Sequence, residues 1–203
     1  MTTSTLYLTV GTGGGIWNGR PDGSVTLYKE NTFTGETLYQ IASNHDGSSS
    51  TFTVVVVGEG GSIFNSARTG SNHGTWNKVH SGTTSTALYS AAFGILLNPI
   101  WVAGGANNTV LYSPNSTNWY SGNGAVKGAQ WTWAAFGNGQ FIMVGNKTVN
   151  GQKQGAAQMS TNGVDWVEAA PGTKNVLQSV AYSPDLNVFV AVGDNGAIVS
   201  VNA

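Results

Sequence analysis

Two carboxylates, three histidines and one glycine run are the features of this 203-residue sequence whose residue types could do chemistry. Glycoside hydrolysis needs a pair of carboxylates held at a defined separation, and Glu59 and Asp194 are the first candidates. Each directly follows the glycine that closes an apolar segment, VVVVG at 54–58 and FVAVG at 189–193. That shared position makes them turn residues by equivalence, a plainer reading than an acid–base pair. His45, His73 and His80 fall in polar stretches without metal-ligand spacing, so solvated loop histidines are expected and no metal site is. The GTGGG run at 11–15 has the composition of a phosphate-binding loop. It joins two strand-like segments, however, whereas cradling a phosphate needs a following helix N-terminus. No Ser/His/Asp arrangement and no Asp/Gly-rich calcium loop stands out, and cysteine is absent. The expectation is a non-enzymatic protein with no catalytic residues, metal or cofactor.

The elements that would carry such residues are set by an internal repeat. Five segments end in a small residue and glycine: LYLTVG at 6–11, VVVVG at 54–58, IWVAG at 100–104, FIMVG at 141–145 and FVAVG at 189–193. Taking Gly11, Gly58, Gly104, Gly145 and Gly193 as the closing glycines, the spacings are 47, 46, 41 and 48 residues. A Gly/Asn-rich turn and a second strand follow each one (GIWNG, SIFNS, VLYS, AAQMS, AIVS). The glycines suit a tight hairpin that needs positive φ. Upstream of four of these segments lies a further strand: LYQIAS, LYSAAFG, WTWAAFG and LQSVAYS. Downstream of three comes a short segment ending in Trp76, Trp119 or Trp166. Each unit reads as four short strands over about 45 residues, the size of a propeller blade that must stack on its neighbours to bury both faces.

Comparing the repeats picks out aromatics that are out of place. Trp17 aligns with Phe64 and Leu111, Trp101 with Val55, Ile142 and Val190, and Trp131 with Leu38, Leu88 and Leu177, so all three are expected in the core. Trp133 is different, because its equivalents are Gln40, Ser90 and Ser179. A large indole among small or polar counterparts could stack on a sugar or anchor a partner. Filling space in a locally different blade is the plainer explanation. Tyr120, opposite Asn77 and Val167, is a second ligand-binding candidate. The fourth repeat also carries an additional polar hairpin at Asn146 to Gly155.

Two of the Trp-ending segments match position for position: SPNSTNW at 113–119 and STNGVDW at 160–166. The S-x-N-G-x-x-W pattern after a strand resembles the Asp-box turn of sialidase-type propellers and of related repeats in photosystem II assembly factors and many phage-encoded proteins. The motif positions are Ser113, Asn115 and Trp119, and Ser160, Asn162, Gly163 and Trp166, with Ser66 to Trp76 a looser copy. The usual Asp is Asn115 or Asn162 here; either side chain can bond the turn backbone. Trp119 and Trp166 are expected to pack between blades. The resemblance implies an all-β fold, a small propeller of about five blades occupying residues 1–203 as a single domain. The terminal blades are incomplete, since the first repeat lacks its first strand and the last lacks an Asp-box segment. It does not imply sialidase activity. Catalytic relatives hold the substrate carboxylate with three arginines, and this chain has two, Arg20 and Arg68.

Composition narrows the function classes. Charged residues make up 8% of the chain and the net charge is −1, with basic residues scattered, so there is no electrostatic footprint for nucleic acid. No apolar run approaches the roughly 20 residues of a membrane-spanning helix. The N-terminal residues lack the basic and apolar regions of a signal peptide, so the three N-x-T sequons read as accidents of an Asn/Thr-rich chain. The favoured expectation is a structural or adhesion component of a virus particle, a phage tail or capsid-associated protein located in the virion. Its partners would be other virion proteins or a host surface glycan or receptor, with homo-oligomerisation allowed. The alternative is a soluble five-bladed lectin, extracellular or cytoplasmic, although a multivalent lectin would tend to repeat its contacts in every blade. An assembly factor binding another protein is a weaker third reading, for want of a charged docking face.

Overall fold

The computed structural model describes residues 7–19, 28–32, 35–45, 49–69, 74–79 and 84–202. They form five antiparallel sheets that follow one another along the chain, and no α-helix occurs among the described residues. The first sheet has three strands, β1 (Tyr7–Val10), β2 (Gly15–Gly19) and β3 (Tyr28–Thr32). The second has β4 (Leu38–Ser43), β5 (Thr51–Gly58), β6 (Ile63–Thr69) and β7 (Asn77–Val79). The third has β8 (Leu88–Ile95), β9 (Pro99–Gly105), β10 (Val110–Ser113) and β11 (Tyr120–Ser121). The fourth has β12 (Gln130–Gly137), β13 (Gln140–Val149), β14 (Gln152–Ser160) and β15 (Val167–Ala169). The fifth returns to three, β16 (Leu177–Ser183), β17 (Val188–Gly193) and β18 (Ile198–Asn202). Within each sheet the strands lie side by side in chain order, as short hairpin connections favour.

The turn after each closing glycine explains the Gly/Asn preference. Gly13-Gly14, Gly60-Gly61, Asn107-Asn108 and Asn195-Gly196 all adopt positive φ at the same two positions, where a β-branched residue would be strained. The fourth sheet replaces this turn with a longer hairpin. Its pairing runs on to Val149↔Gln152 and closes through Asn150 and Gly151, both at positive φ. This is the extra hairpin marked by the sequence, and its two residues are the usual chemistry of a type I′ turn.

The strand pairing corrects one register. Leu38 pairs with Gly58, Trp131 with Gly145 and Leu177 with Gly193, but Leu88 pairs with Gly105, not Gly104. Trp101 is therefore the counterpart of Val54, Phe141 and Phe189, one residue away from the alignment on Val55, Ile142 and Val190. A slip of one residue turns a strand's side chains to the opposite face. Trp101 indeed packs toward the second sheet, in the cluster with Val55, Val57 and Leu88.

Because both faces of the middle sheets are apolar, each buries one face on the preceding sheet and one on the following sheet. Four clusters result: Ile16 with Val54, Val56 and Trp76; Val55 and Val57 with Trp101 and Trp119; Val102 and Val110 with Phe141 and Trp166; Ile142 and Val144 with Phe189 and Ala191. The strands leading sheets two to five, β4, β8, β12 and β16, contact one another in succession, and β1 contacts β4. No comparable contact joins the fifth sheet to the first among the described residues. An aromatic pair spans the first two strands of the third, fourth and fifth sheets: Phe93–Trp101, Phe136–Phe141 and Tyr182–Phe189. The Phe136 ring lies where a side chain on Gly94 would stand, and the Tyr182 ring does the same to Gly137. The glycines of one sheet thus seat the aromatics of the next.

Candidate functional site

The two Ser-x-Asn turns, at 113–119 and 160–166, have matching geometry. In the third sheet Asn115 Oδ1 accepts from the backbone N–H of Thr117 at 3.0 Å and of Asn118 at 2.8 Å. In the fourth, Asn162 Oδ1 accepts from Val164 at 2.8 Å and Asp165 at 2.7 Å. Ser113 and Ser160 brace the turns by accepting from the N–H of Asn115 and Asn162, each at 3.3 Å. Ser116 and Gly163 occupy the same positive-φ position, at 63° and 73°. Trp76, Trp119 and Trp166 are all buried, and each joins the cluster between its own sheet and the preceding one. Trp119 Nε1 donates to Ser116 O at 3.1 Å, and Asn65 of the second sheet donates to the same carbonyl at 3.1 Å. Trp166 Nε1 has no such acceptor among the described residues. Asp165, exposed beside its turn, accepts from Asn123 at 2.6 Å and Asn162 at 2.9 Å. These bonds, Asn123 first, hold its carboxyl below the ordinary value of 3.8.

The sequence candidates do not converge on one site. Glu59 and Asp194 both sit in the turns after their closing glycines, Glu59 donating its N–H to Thr37 O and Asp194 to Val176 O. Asp194 also accepts from Gln178 at 2.9 Å. His45 stacks edge-on against Phe52, with ring centroids 4.6 Å apart, while His73 and His80 lie outside the described residues, as does Arg20. Arg68 is buried with its guanidinium 5.1 Å from the Trp76 ring, a structural cation–π contact. Trp131 and Trp101 are core residues as expected. Trp17 is not fully in the core: it is half-buried and folds over Gly15, on the face of the first sheet turned away from the second, against which no other sheet of the described residues packs. Trp133 is half-buried too and packs on the cluster between the fourth and fifth sheets. Tyr120 is 48% exposed, tilted against Tyr112 at a centroid distance of 5.5 Å.

Each leading strand of sheets two to five carries a bulge at the same place, just after Leu38, Leu88, Trp131 and Leu177. The bulged residues are Tyr39, Tyr89, Thr132 and Gln178, and sequence comparison did not single them out. Tyr39 and Tyr89 meet edge to face at 4.9 Å. Thr132 Oγ1 donates to Leu177 O of the next sheet at 2.7 Å. Burial, then Glu59 and Tyr89, push the Tyr39 phenol above its ordinary value. The recurring position one residue after the leading Leu or Trp was the available signal.

Two features mark the fifth sheet. The first is an uncovered face. Ile198 corresponds by pairing to Ile16, Ile63, Val110 and Ala157, all at most 3% exposed, yet Ile198 is 74% exposed and Val192 beside it 44%. The second is an apolar cleft between the fourth and fifth sheets, walled by Ile142, Ala157, Leu177, Phe189, Val199 and Val201. Among the described residues, no group of three His, Cys, Asp or Glu is placed to hold a metal ion. The sequence matches no family model, and no curated protein matches it.

Proposed function

We propose that the chain is a non-enzymatic structural and adhesion module of a virus particle, of the phage-tail or capsid-associated kind, whose five sheets are the blades of a small propeller. The observation that carries the reading is the bare outer face of the fifth sheet. Ile198 repeats a position that is buried in the other four sheets, and Val192 one that is buried or partly buried there, so this face is built to be covered. Covering what is still exposed of the two, 74% of Ile198 and 44% of Val192, contributes about 2–4 kcal/mol. The Asn-based turns and the inter-sheet tryptophans support the Asp-box resemblance from which the phage context comes.

The test is purification of intact particles on a density gradient followed by immunodetection of the chain. Co-sedimentation with particles is the expected result, and recovery solely as free protein overturns the reading. The exposed Tyr112–Tyr120 pair favours a second reading, a carbohydrate-binding lectin, because adjacent aromatic faces stack on sugar rings. Glycan-array binding that is lost in Tyr120→Ala and in Trp133→Ala selects it.

A further inference from the structure

Each bulge on a leading strand re-aims one side chain, as an extra residue in one strand of a pair does. In the fourth and fifth sheets that side chain is tied down. Thr132 Oγ1 donates to Leu177 O of the next sheet at 2.7 Å, and Gln178 Nε2 donates at 2.9 Å to the carboxylate of Asp194, the first residue of its own closing turn. The second and third sheets put tyrosines at the same place. Glu59 stands in the second sheet where Asp194 stands in the fifth, with its N–H on Thr37 O at 2.8 Å. The pair Leu38↔Gly58 thus sets Tyr39 beside Glu59, as Leu177↔Gly193 sets Gln178 beside Asp194. Tyr39 is 40% exposed, Tyr89 half-buried and Glu59 exposed. Among the described residues no hydrogen bond reaches either phenol, and neither a hydrogen bond nor an ion pair reaches the Glu59 carboxylate. Burial and then the Glu59 charge raise the Tyr39 phenol, so it stays neutral beside the carboxylate.

The two rings meet at 62° with centroids 4.9 Å apart, so they bound a corner walled by a ring face on each side. A flat sugar ring stacks on a platform, whereas a corner fits a compact, rounded group. Both walls are electronegative, because the faces of aromatic rings carry the negative part of their quadrupole, and the carboxylate beside them adds a full charge. A hard metal ion does not suit the corner, since it takes six or more oxygens and no group of three His, Cys, Asp or Glu occurs among the described residues. A primary ammonium brings three N–H donors that ring faces leave unsatisfied, while a quaternary ammonium brings none. We infer that Tyr39, Tyr89 and Glu59 form a binding site for a quaternary ammonium group of the choline type. The methyl groups pack into the corner between the second and third sheets, the charge lies against the ring faces, and Glu59 balances it. This site goes beyond the assembly and adhesion reading and does not rest on it.

The probe is choline chloride, titrated at constant ionic strength into the isotope-labelled 203-residue protein and read by amide chemical shifts. Saturable shifts centred on Tyr39, Glu59 and Tyr89 are expected. Dimethylbutanol, the neutral analogue with a tert-butyl group in place of the trimethylammonium, should bind about fivefold or more weakly, because it has the shape without the charge. Tyr89→Ala should weaken choline binding by about fivefold or more, and Glu59→Gln by about threefold or more, while Tyr39→Phe, which keeps the ring face, should stay within about twofold. The amide spectrum of each variant reports its folding, and Glu59→Gln, an exposed change in a turn, decides the question should Tyr89→Ala not fold. Absence of saturable shifts overturns the inference, as does equal affinity for the neutral analogue or undiminished binding in Glu59→Gln. Shifts at these residues with methyl glucoside and none with choline also overturn it, by making the rings a sugar platform. Each of these outcomes is independent of whether the chain co-sediments with particles.

Discussion

Replacing Trp166 tests the inter-sheet role of the three repeated tryptophans most directly. The residue is 5% exposed, so the substitution to alanine removes nearly the whole indole from the interface between the third and fourth sheets. An indole contributes about 200 Å² of buried surface, which at roughly 25 cal/mol per Å² is about 5 kcal/mol. The methyl group that alanine retains and partial collapse of the cavity bring the expected loss to about 3–5 kcal/mol. Phenylalanine substitutions then separate packing from hydrogen bonding. Trp119→Phe deletes the bond from Nε1 to Ser116 O and should cost about 1–2 kcal/mol more than Trp166→Phe. Trp166→Phe removes a buried N–H that has no acceptor among the described residues, which offsets the lost area. Urea unfolding followed by far-UV circular dichroism reads all three, with the slope of each transition checked against wild type. A loss below about 1 kcal/mol for Trp166→Ala, against the 3–5 kcal/mol of a buried aromatic, refutes the inter-sheet assignment. A costlier Trp166→Phe than Trp119→Phe refutes the hydrogen-bond argument.

Four other outcomes follow from the geometry. Trp133→Ala should lower stability by about 1–3 kcal/mol, as loss of a half-buried indole packed on the fourth interface requires; an unchanged melting temperature would mark it as a surface anchor instead. Gly94→Ala should cost about 1–3 kcal/mol in denaturant unfolding, because a methyl group there overlaps the Phe136 ring and the packed aromatic cannot retreat. Asn162→Ala, which frees the N–H groups of Val164 and Asp165, should cost about 1–2 kcal/mol, and Asn162→Asp should restore only part of it, because its carboxylate accepts from both N–H groups but loses the bond to Asp165 and faces that carboxylate. The Asp165 carboxyl, held low by Asn123 and Asn162, contributes stability that is present above its unfolded value and lost as pH falls through its folded one. Carboxyl NMR titration should therefore place its midpoint below 3.8 and show it rising in Asn123→Ala; a midpoint unmoved by that substitution contradicts the bond.

The five sheets were legible in the sequence because each repeat writes the same local chemistry. An apolar strand is followed by a turn needing positive φ, another strand, and in three repeats a tryptophan. The register of the third repeat was not, since Ala103-Gly104-Gly105 offers two glycines and only the pairing with Leu88 selects the second. Trp17 looked like core because its counterparts Phe64 and Leu111 are, but burial of a strand's face is decided by whether another sheet lies against it. The uncovered face of the fifth sheet and the cleft beside it escaped notice for the same reason. Both are properties of what is absent next to ordinary Val, Ile and Ala side chains. The bulges escaped because their mark is a shared position, one residue after the leading Leu or Trp, filled by unlike residues: Tyr39, Tyr89, Thr132 and Gln178.

The succession of sheets also sets how the molecule comes apart. With substantial contacts confined to neighbours, stability behaves as a chain of coupled units, each contributing its own term and one interface term per neighbour. The second, third and fourth sheets are held from both sides, the fifth from one. Amide protection should thus peak in β9 and β13 and decline toward β17, where the last sheet can open while the rest stays folded. Anything that covers Ile198 and Val192 would abolish that gradient by converting an end of the chain into a middle, so a hydrogen-exchange profile can report on docking even before the partner is identified.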